Sequence, residues 1–291
     1  MHDENITFER EEYIRDVLDA GNVGNIRKPL TLCEKVGNVG ALRKFAILFV
    51  LAAFWQGYAM WVDNPLIFPT FNATVIAFYD AMFRGELLAR VWVSIKLLLT
   101  GYSIGIGFAM LLTIFAITSR IGSDFLETLT SMFNPLPAIA LLPLALLWFG
   151  LGKISIIFVL IHSVLWPVSM NTHSGFKGVS NTLRMVGRNY GLSGWGYVSK
   201  ILIPAAFPAI LTGLKIGWAF AWRTLIAAEL VFGVSSGQGG LGWFIYENKN
   251  ELEVAYVFAG LLTVIIIGIT VENLIFRNIE NKTVRKWGMC N

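Results

Sequence analysis

Six long apolar runs constrain this 291-residue chain more than any other feature of its sequence. They cover residues 45–62, 91–118, 125–147, 154–172, 205–232 and 255–276. Each has about 18 residues or more, which is the length that an α-helix needs to cross ~30 Å of hydrocarbon. Only 14% of the residues are charged, against about 25% in soluble domains. Because lipid offers no hydrogen bonds to the backbone, the runs predict an all-α polytopic membrane protein with about six transmembrane helices.

The positively charged residues are distributed unevenly between the two sides of such a bundle. With both ends placed inside, the inside segments hold 16 Lys and Arg and the outside loops hold four. Inside loops carry this excess in membrane proteins, so we expect both termini to be cytoplasmic. The expected domains are a cytoplasmic tail at 1–44, a transmembrane domain at 45–276 and a second tail at 277–291. The basic surplus is small, so we expect contact with membrane lipid and no binding of nucleic acid.

Two of the runs carry further local signals. Gly101 and Gly105 lie four residues apart in the second run, and this spacing either allows close packing against another helix or reflects simple tolerance of glycine in a span. The third run contains three prolines, which leave backbone carbonyls free, so we expect protein rather than lipid around it. We expect this run to form one span over 125–147, after a short inside turn at 119–124.

The longest polar break separates the fourth and fifth runs and covers residues 181–204. Its apolar residues fall at helical spacing in two sets, which are Leu183, Val186 and Tyr190, then Trp195, Val198 and Leu202. Gly191 stands between the two sets, where a glycine can end a helix in the left-handed conformation. The segment therefore predicts two short helices with apolar faces, joined by a tight turn and lying outside the bilayer.

The spacing in this segment resembles the cytoplasmic coupling loop of ABC-importer permeases. In that loop Glu-Ala-Ala, three residues, Gly, nine residues and Ile-x-Leu-Pro follow one another. Gly191, Ile201 and Pro204 stand in this register, while Met185-Val186-Gly187 replaces the Glu-Ala-Ala triplet. Further blocks are similar to the nitrate, sulfonate and taurine type of these permeases, at residues 134–152, 219–230, 239–242 and 284–287.

The resemblance implies the type I ABC-importer permease fold and a subunit that forms the translocation path for a small anion, of the sulfonate, taurine, nitrate or bicarbonate class. It also implies three partners: a second permease copy in a homodimer, ATP-binding subunits and an external solute-binding protein. The ATP-binding subunits would be contacted through the coupling loop, by Leu183, Val186, Tyr190, Gly191, Trp195, Ile201 and Pro204. The sequence contains no P-loop motif. We therefore expect ATP hydrolysis in the partner, and in this chain neither enzymatic activity nor a cofactor.

Two ionisable residues inside the fifth run are the candidate pathway residues. A charge within a span is costly and indicates function. Arg223 could attract an anion, or it could pair with a partner helix or reach outward to the interface. Glu229 could line the path, or it could make a structural hydrogen bond near the outer mouth. Six residues rotate a helix by about 240°, so the two side chains do not share a face.

No group of side chains in the sequence indicates catalysis or metal binding. His162 and His173 would lie about 16 Å apart on an unbroken helix, which is too far for one metal ion. Two other classes remain open at this point: a secondary transporter or channel that acts alone, and a membrane-embedded enzyme. The first would call for internal repeats and ion-coupling groups, and the second for a catalytic cluster, and the sequence displays neither.

Overall fold

The computed structural model describes residues 40–232 and 239–288. Most of the tail expected at 1–44 lies outside the described residues, as do the start of the loop after the fifth span and the last three residues. Within the described ranges the chain forms helices and turns without strands, which confirms the all-α prediction.

The described residues form helices that we number in chain order. They are α1 (Gly40–Val62), α2 (Phe71–Phe83), α3 (Leu87–Thr118), α4 (Arg120–Phe133), α5 (Leu142–Phe149), α6 (Lys153–Lys177), α7 (Asn181–Asn189), α8 (Gly194–Tyr197), α9 (Ile203–Phe232), α10 (Leu241–Asn250), α11 (Val254–Thr270) and α12 (Arg277–Glu280). Wider π-type turns continue three of them, at Val198–Leu202, Val271–Phe276 and Asn281–Arg285. Five helical stretches in the described ranges are long and apolar enough to cross a membrane, and a bent pair brings the number up to six.

The third span differs from the prediction because it is broken. The expected turn at 119–124 is absent from this part of the chain, since α4 already begins at Arg120, with the Ser119 hydroxyl accepting the Gly122 N–H at 2.9 Å. The helix ends at Phe133, and the next helical segment, Ala138–Phe149, runs at 87° to it. Prolines at 135 and 137 cause the break, because neither can donate a backbone hydrogen bond and each ring clashes with the preceding turn.

The core is built around α6, which packs between α3 and α9. Close packing at Gly101 and Gly105 is confirmed: a Cβ at these positions would lie 2.6 Å from Leu160 Cβ and 2.8 Å from Val164 Cβ. Further along α6, a Cβ at Gly213 of α9 would lie 2.9 Å from Asn171 Cβ. Glycines thus bring three helices within backbone distance, where dispersion contacts hold helices together in lipid.

The sixth span extends further than the sequence indicated. We expected it to end at Phe276 and to be followed by a tail, but the helical course continues to Arg285. The continuation packs against α9: Val284 is buried with Leu211, and Lys215 Nζ lies 2.6 Å from a Glu280 carboxylate oxygen. Lys215 therefore joins α9 to the end of the helical course.

Candidate functional site

The segment 181–204 begins with α7, whose ends are both capped. The Ser180 hydroxyl accepts the Leu183 N–H at 3.3 Å at its start. At its end Gly191 adopts φ +70°, the Gly191 N–H donates to Arg188, and the Leu192 N–H donates to the Gly187 carbonyl at 3.1 Å. This pair of bonds is the Schellman motif, which needs a left-handed residue at the position of Gly191. The predicted turn is therefore confirmed, and the positive φ explains why a glycine stands at its centre.

Helix α7 contacts the end of α6 and the segment that leads into α9. The Arg184 guanidinium donates to the carbonyls of Phe176 at 2.7 Å and Val179 at 3.1 Å, where α6 ends. A cation at this position stabilises the carbonyl end of a helix. On the same side Gly187 is buried, and a Cβ there would lie 2.9 Å from the Tyr197 ring and 3.0 Å from Ile201. Gly187, at the last position of the missing Glu-Ala-Ala triplet, therefore lets α7 pack closely on the segment that leads into α9.

The first of the two apolar sets lies on an open surface. Leu183 is 37% exposed, Val186 40% and Tyr190 81%. These three side chains form what we call the α7 face, an apolar surface on a helix that stands apart from the membrane spans.

The second apolar set does not form a separate short helix. Residues 194–232 follow one helical course, in which the π-type turn Val198–Leu202 leads directly into α9. Val198 and Leu202 are half-buried and line a cleft together with Phe176, while Ile201 packs on Gly187. Val198 and Leu202 thus contact their own chain, and the docking role of this set stays a prediction. The Trp195 side chain lies outside the described part, and Pro204 sits in the first turn of α9.

Arg223 lies in the wall of a cleft that the broken span creates. The cleft has a volume of about 370 Å³ and is lined by the loop at 134–139, by α6 and by α9. The guanidinium carbon lies 5.7 Å from the Phe220 ring centroid. Among the described residues no carboxylate lies within 4.0 Å of Arg223, whereas Lys177 and Lys215 each have an acidic partner. Arg223 is an exposed residue, and it lines the cleft.

Two further polar side chains in this cleft were not recognised as site residues in the sequence. In the described part of the chain, both ring nitrogens of His162 and the indole nitrogen of Trp166 lack a hydrogen-bond partner. Phe133 stacks on Trp166 with 5.3 Å between the ring centroids. A buried donor without a partner is costly, so this cleft presents polar groups for something that enters it. The sequence did not indicate that His162 lines a cleft, because the cleft exists only where the third span bends.

Glu229 lies elsewhere, in a hydrogen-bonded junction at the start of α10. Its carboxylate is 3% exposed and accepts hydrogen bonds from the Ser94 hydroxyl and the Gly242 N–H, each at 2.8 Å. The Ser94 oxygen in turn accepts the Leu241 N–H at 2.7 Å. Glu229 does not line the Arg223 cleft. The geometry favours the structural alternative, in which this carboxylate joins α3, α9 and α10.

Long apolar helices, a capped helix outside them and a cation in a cleft between them together define a membrane transport protein. The comparisons make the class specific. The family of binding-protein-dependent transport system inner membrane components matches residues 97–285, which is more than half of the chain. The chain belongs to this family: it is the permease subunit of an ABC importer, with the type I permease fold.

The chain is similar to named permeases over most of its length. A putative ABC transporter permease protein of Methanocaldococcus jannaschii is 30% identical over 252 residues, covering 85% of this chain and 93% of the relative. The putative aliphatic sulfonates transport permease protein SsuC of Bacillus subtilis is 30% identical over 249 residues, covering 85% and 88%. The nitrate import permease protein NrtB of Synechocystis is 31% identical over 186 residues, covering 64% and 66%.

Proposed function

We propose that this permease imports a small oxyanion, of the sulfonate or nitrate class, and that Arg223 binds the anion during its passage. The observation that carries the proposal is the Arg223 guanidinium, which lines the cleft of about 370 Å³ and has no carboxylate partner in the described part of the chain. A planar guanidinium offers paired N–H donors to the oxygens of a planar or tetrahedral anion. Neighbouring His162 and Trp166 supply further N–H groups. The names of the sulfonate and nitrate permeases support the same class of solute.

The rest of the assembly follows from the family and from the α7 face. Two copies of the chain would enclose the path in the inner membrane, with both termini cytoplasmic. An external binding protein would deliver the solute. Separate ATP-binding subunits would hydrolyse ATP and dock on the α7 face through an apolar groove. Because Arg184 fixes α7 to the end of α6 and Gly187 fixes it to the course of α9, a movement of α7 would be transmitted to both cleft helices.

The test is uptake by the complete complex with Arg223 replaced. A hydrogen bond to a charged group contributes about 1.5–3 kcal/mol, so Arg223→Gln should lower the rate of nitrate or alkanesulfonate uptake roughly 10- to 100-fold. Arg223→Lys should lower it less, because the charge remains while the paired donors are lost. The matched control is Lys96→Gln, which removes a cation that lies over the Trp92 ring and outside the cleft.

Assembly has to be measured alongside uptake. Recovery of the ATP-binding subunits with each variant shows whether the complex forms. Unchanged uptake in an intact Arg223→Gln complex would contradict the anion role of Arg223. If Arg223→Gln and Lys96→Gln lower uptake equally, this result would contradict the anion role of Arg223 as well.

A further inference from the structure

Three clefts follow one another along the described part of α6. The Arg223 cleft shares Asn134 and Pro135 with a second cleft of about 240 Å³. That second cleft shares His173 with a third, of about 520 Å³. From His162 in the first to Lys177 in the third is fifteen residues of α6, or about 22 Å at 1.5 Å per residue. The shared residues place the three clefts side by side along α6, and we call the row that they form the groove.

The groove runs between one face of α6 and one face of α4. The α6 residues that line it stand three or four apart, as Ser163, Trp166, Met170, His173 and Lys177. The α4 residues and the loop residue that follows them repeat this pattern, as Arg120, Ser123, Glu127, Thr130 and Asn134. Such spacing places each set on a single helical face. These five positions are polar and Leu126 of α4 lines the groove beside them, although α4 belongs to a pair that is apolar enough to span the membrane. Polar side chains at membrane depth face a water-filled cavity or the interior of the protein.

The end of the groove beside α7 is positively charged. Its cleft is lined by Arg120, Lys177 and Arg184, and by no acidic residue of the described ranges. Arg184 already donates to the end of α6, and Lys177 pairs with Glu127, which lines the middle cleft. The Glu127 carboxylate thus stands at the entrance to the third cleft and occupies the lysine that an arriving anion would meet.

We propose that Arg120 and Lys177 form a second anion site, and that oxyanions pass to it from the Arg223 cleft along the polar side chains of the groove between α4 and α6. Glu127 and the anion compete for Lys177, so the Glu127–Lys177 pair closes the groove when no anion is present. His173 lies at the same neck, with Nε2 3.3 Å from the Ser123 hydroxyl and Nδ1 4.0 Å from Glu127. This inference rests on the proposed function, since it continues the path of the same solute.

The experiment measures charge selectivity at Ser123, in the wall of the third cleft. Ser123→Cys is introduced into the full chain with Cys33→Ser and Cys290→Ser, and the complex with its ATP-binding subunits is purified. Two methanethiosulfonate reagents are compared, one carrying a sulfonate and one a trimethylammonium group. The anionic reagent is itself a substituted ethanesulfonate, so it belongs to the proposed class of solute. Nitrate is added separately as a competing anion.

The anionic reagent should react faster than the cationic one, and nitrate should slow its reaction. Adding Arg120→Gln should lower the ratio of the two rates about fivefold, because one charge close to the thiol is lost. Arg277→Gln, the same change at an exposed residue outside the three clefts, should leave the ratio unchanged. Glu127→Gln should raise the ratio and strengthen protection by nitrate, because it frees Lys177.

Equal rates for the two reagents, or a ratio that Arg120→Gln and Arg277→Gln change alike, would overturn the second anion site. A thiol that neither reagent reaches would overturn the path as well, since a groove that conducts an alkanesulfonate admits this reagent. None of these outcomes depends on Arg223. If the Arg223→Gln uptake experiment succeeds while Ser123→Cys shows no charge selectivity, the proposed function stands and only the course of the exit is wrong.

Discussion

Gly191 shows how one backbone angle determines the shape of the segment that stands outside the membrane spans. Its φ of +70° allows the two bonds that end α7. A Cβ at this position would meet no atom within 4 Å, so a substitution is opposed by the backbone conformation and not by crowding. Gly196, five residues later, is equally open, but it lies inside α8 with no positive φ.

We expect Gly191→Ala to destabilise the turn by about 1–2 kcal/mol, because an L-residue is strained in the left-handed region. Insertion should be unaffected, since the substitution lies in none of the spans. Recovery of the ATP-binding subunits in a pull-down and coupled uptake should both fall. The matched control, Gly196→Ala, should leave both unchanged, because alanine is favoured within a helix. Equal effects of the two variants would mean that the turn at Gly191 is not what positions α7.

The turn at Gly191 could be predicted from the sequence because it is a local feature, whereas the partners of the charged residues could not. Arg184 reaches carbonyls up to eight positions away, and Glu229 meets a serine 135 residues earlier in the chain. Contacts between residues so far apart in the sequence can be seen only in the folded structure. Arg223 was identified because a charge in an apolar run is conspicuous, but the cleft that it faces depends on the bend between α4 and α5.

Among the described elements, α7 carries an exposed apolar face on a helix outside the membrane spans, and we expect a partner protein to bind there. Its apolar face carries Leu183, Val186 and Tyr190, while Gly187 and Arg184 hold its other side to the chain. Met185 is also exposed, at 57%, and points roughly opposite to Leu183, since two residues rotate a helix by about 200°. The helix therefore offers two exposed sides, and only one of them carries the three apolar side chains in a row.

We expect Val186→Asp to release the ATP-binding subunits, because it places a charge in the middle of the apolar contact. Met185→Asp introduces the same charge on the side of the helix opposite Leu183, about 100° around the helix from Val186, and should have a smaller effect. Co-purification from detergent followed by ATP hydrolysis assays measures both. Retention of the subunits with Val186→Asp and their loss with Met185→Asp would place the docking surface on the other side of α7.

The third span differs from its sequence-based description for a reason of backbone chemistry. Hydropathy is continuous across 125–147, so it predicts one helix, although the prolines at 135 and 137 end α4. By contrast Pro204 and Pro208 do not interrupt α9. The π-type turn Val198–Leu202 lies just before Pro204 and changes the hydrogen-bond pattern where a proline ring would otherwise clash with a carbonyl.

For the whole molecule, the broken third span decides how many times the chain crosses the membrane. If α4 and Ala138–Phe149 together make one crossing, there are six spans and both ends lie on one side. If the pair enters and returns on the same side, there are five crossings and the ends lie on opposite sides. The second arrangement would move Arg184, Arg188 and Lys200 to the outside, against the rule that basic loops remain inside. The charges therefore favour six.

The two arrangements give opposite results in a labelling experiment. Asn250 ends α10, and Lys286 is exposed beyond the last helical stretch. Each is replaced by cysteine in the chain carrying Cys33→Ser and Cys290→Ser, and intact cells are treated with a membrane-impermeant thiol reagent. Six crossings place Asn250→Cys outside, so that it is labelled at once, and leave Lys286→Cys protected until the cells are opened. Labelling of Lys286→Cys in intact cells would show that the last segment faces outward. If α9 and α11 each cross the membrane once, two crossings separate α7 from Lys286, so both lie on the same side. With Lys286 outside, α7 would also lie outside and could not contact an ATP-binding subunit in the cytoplasm.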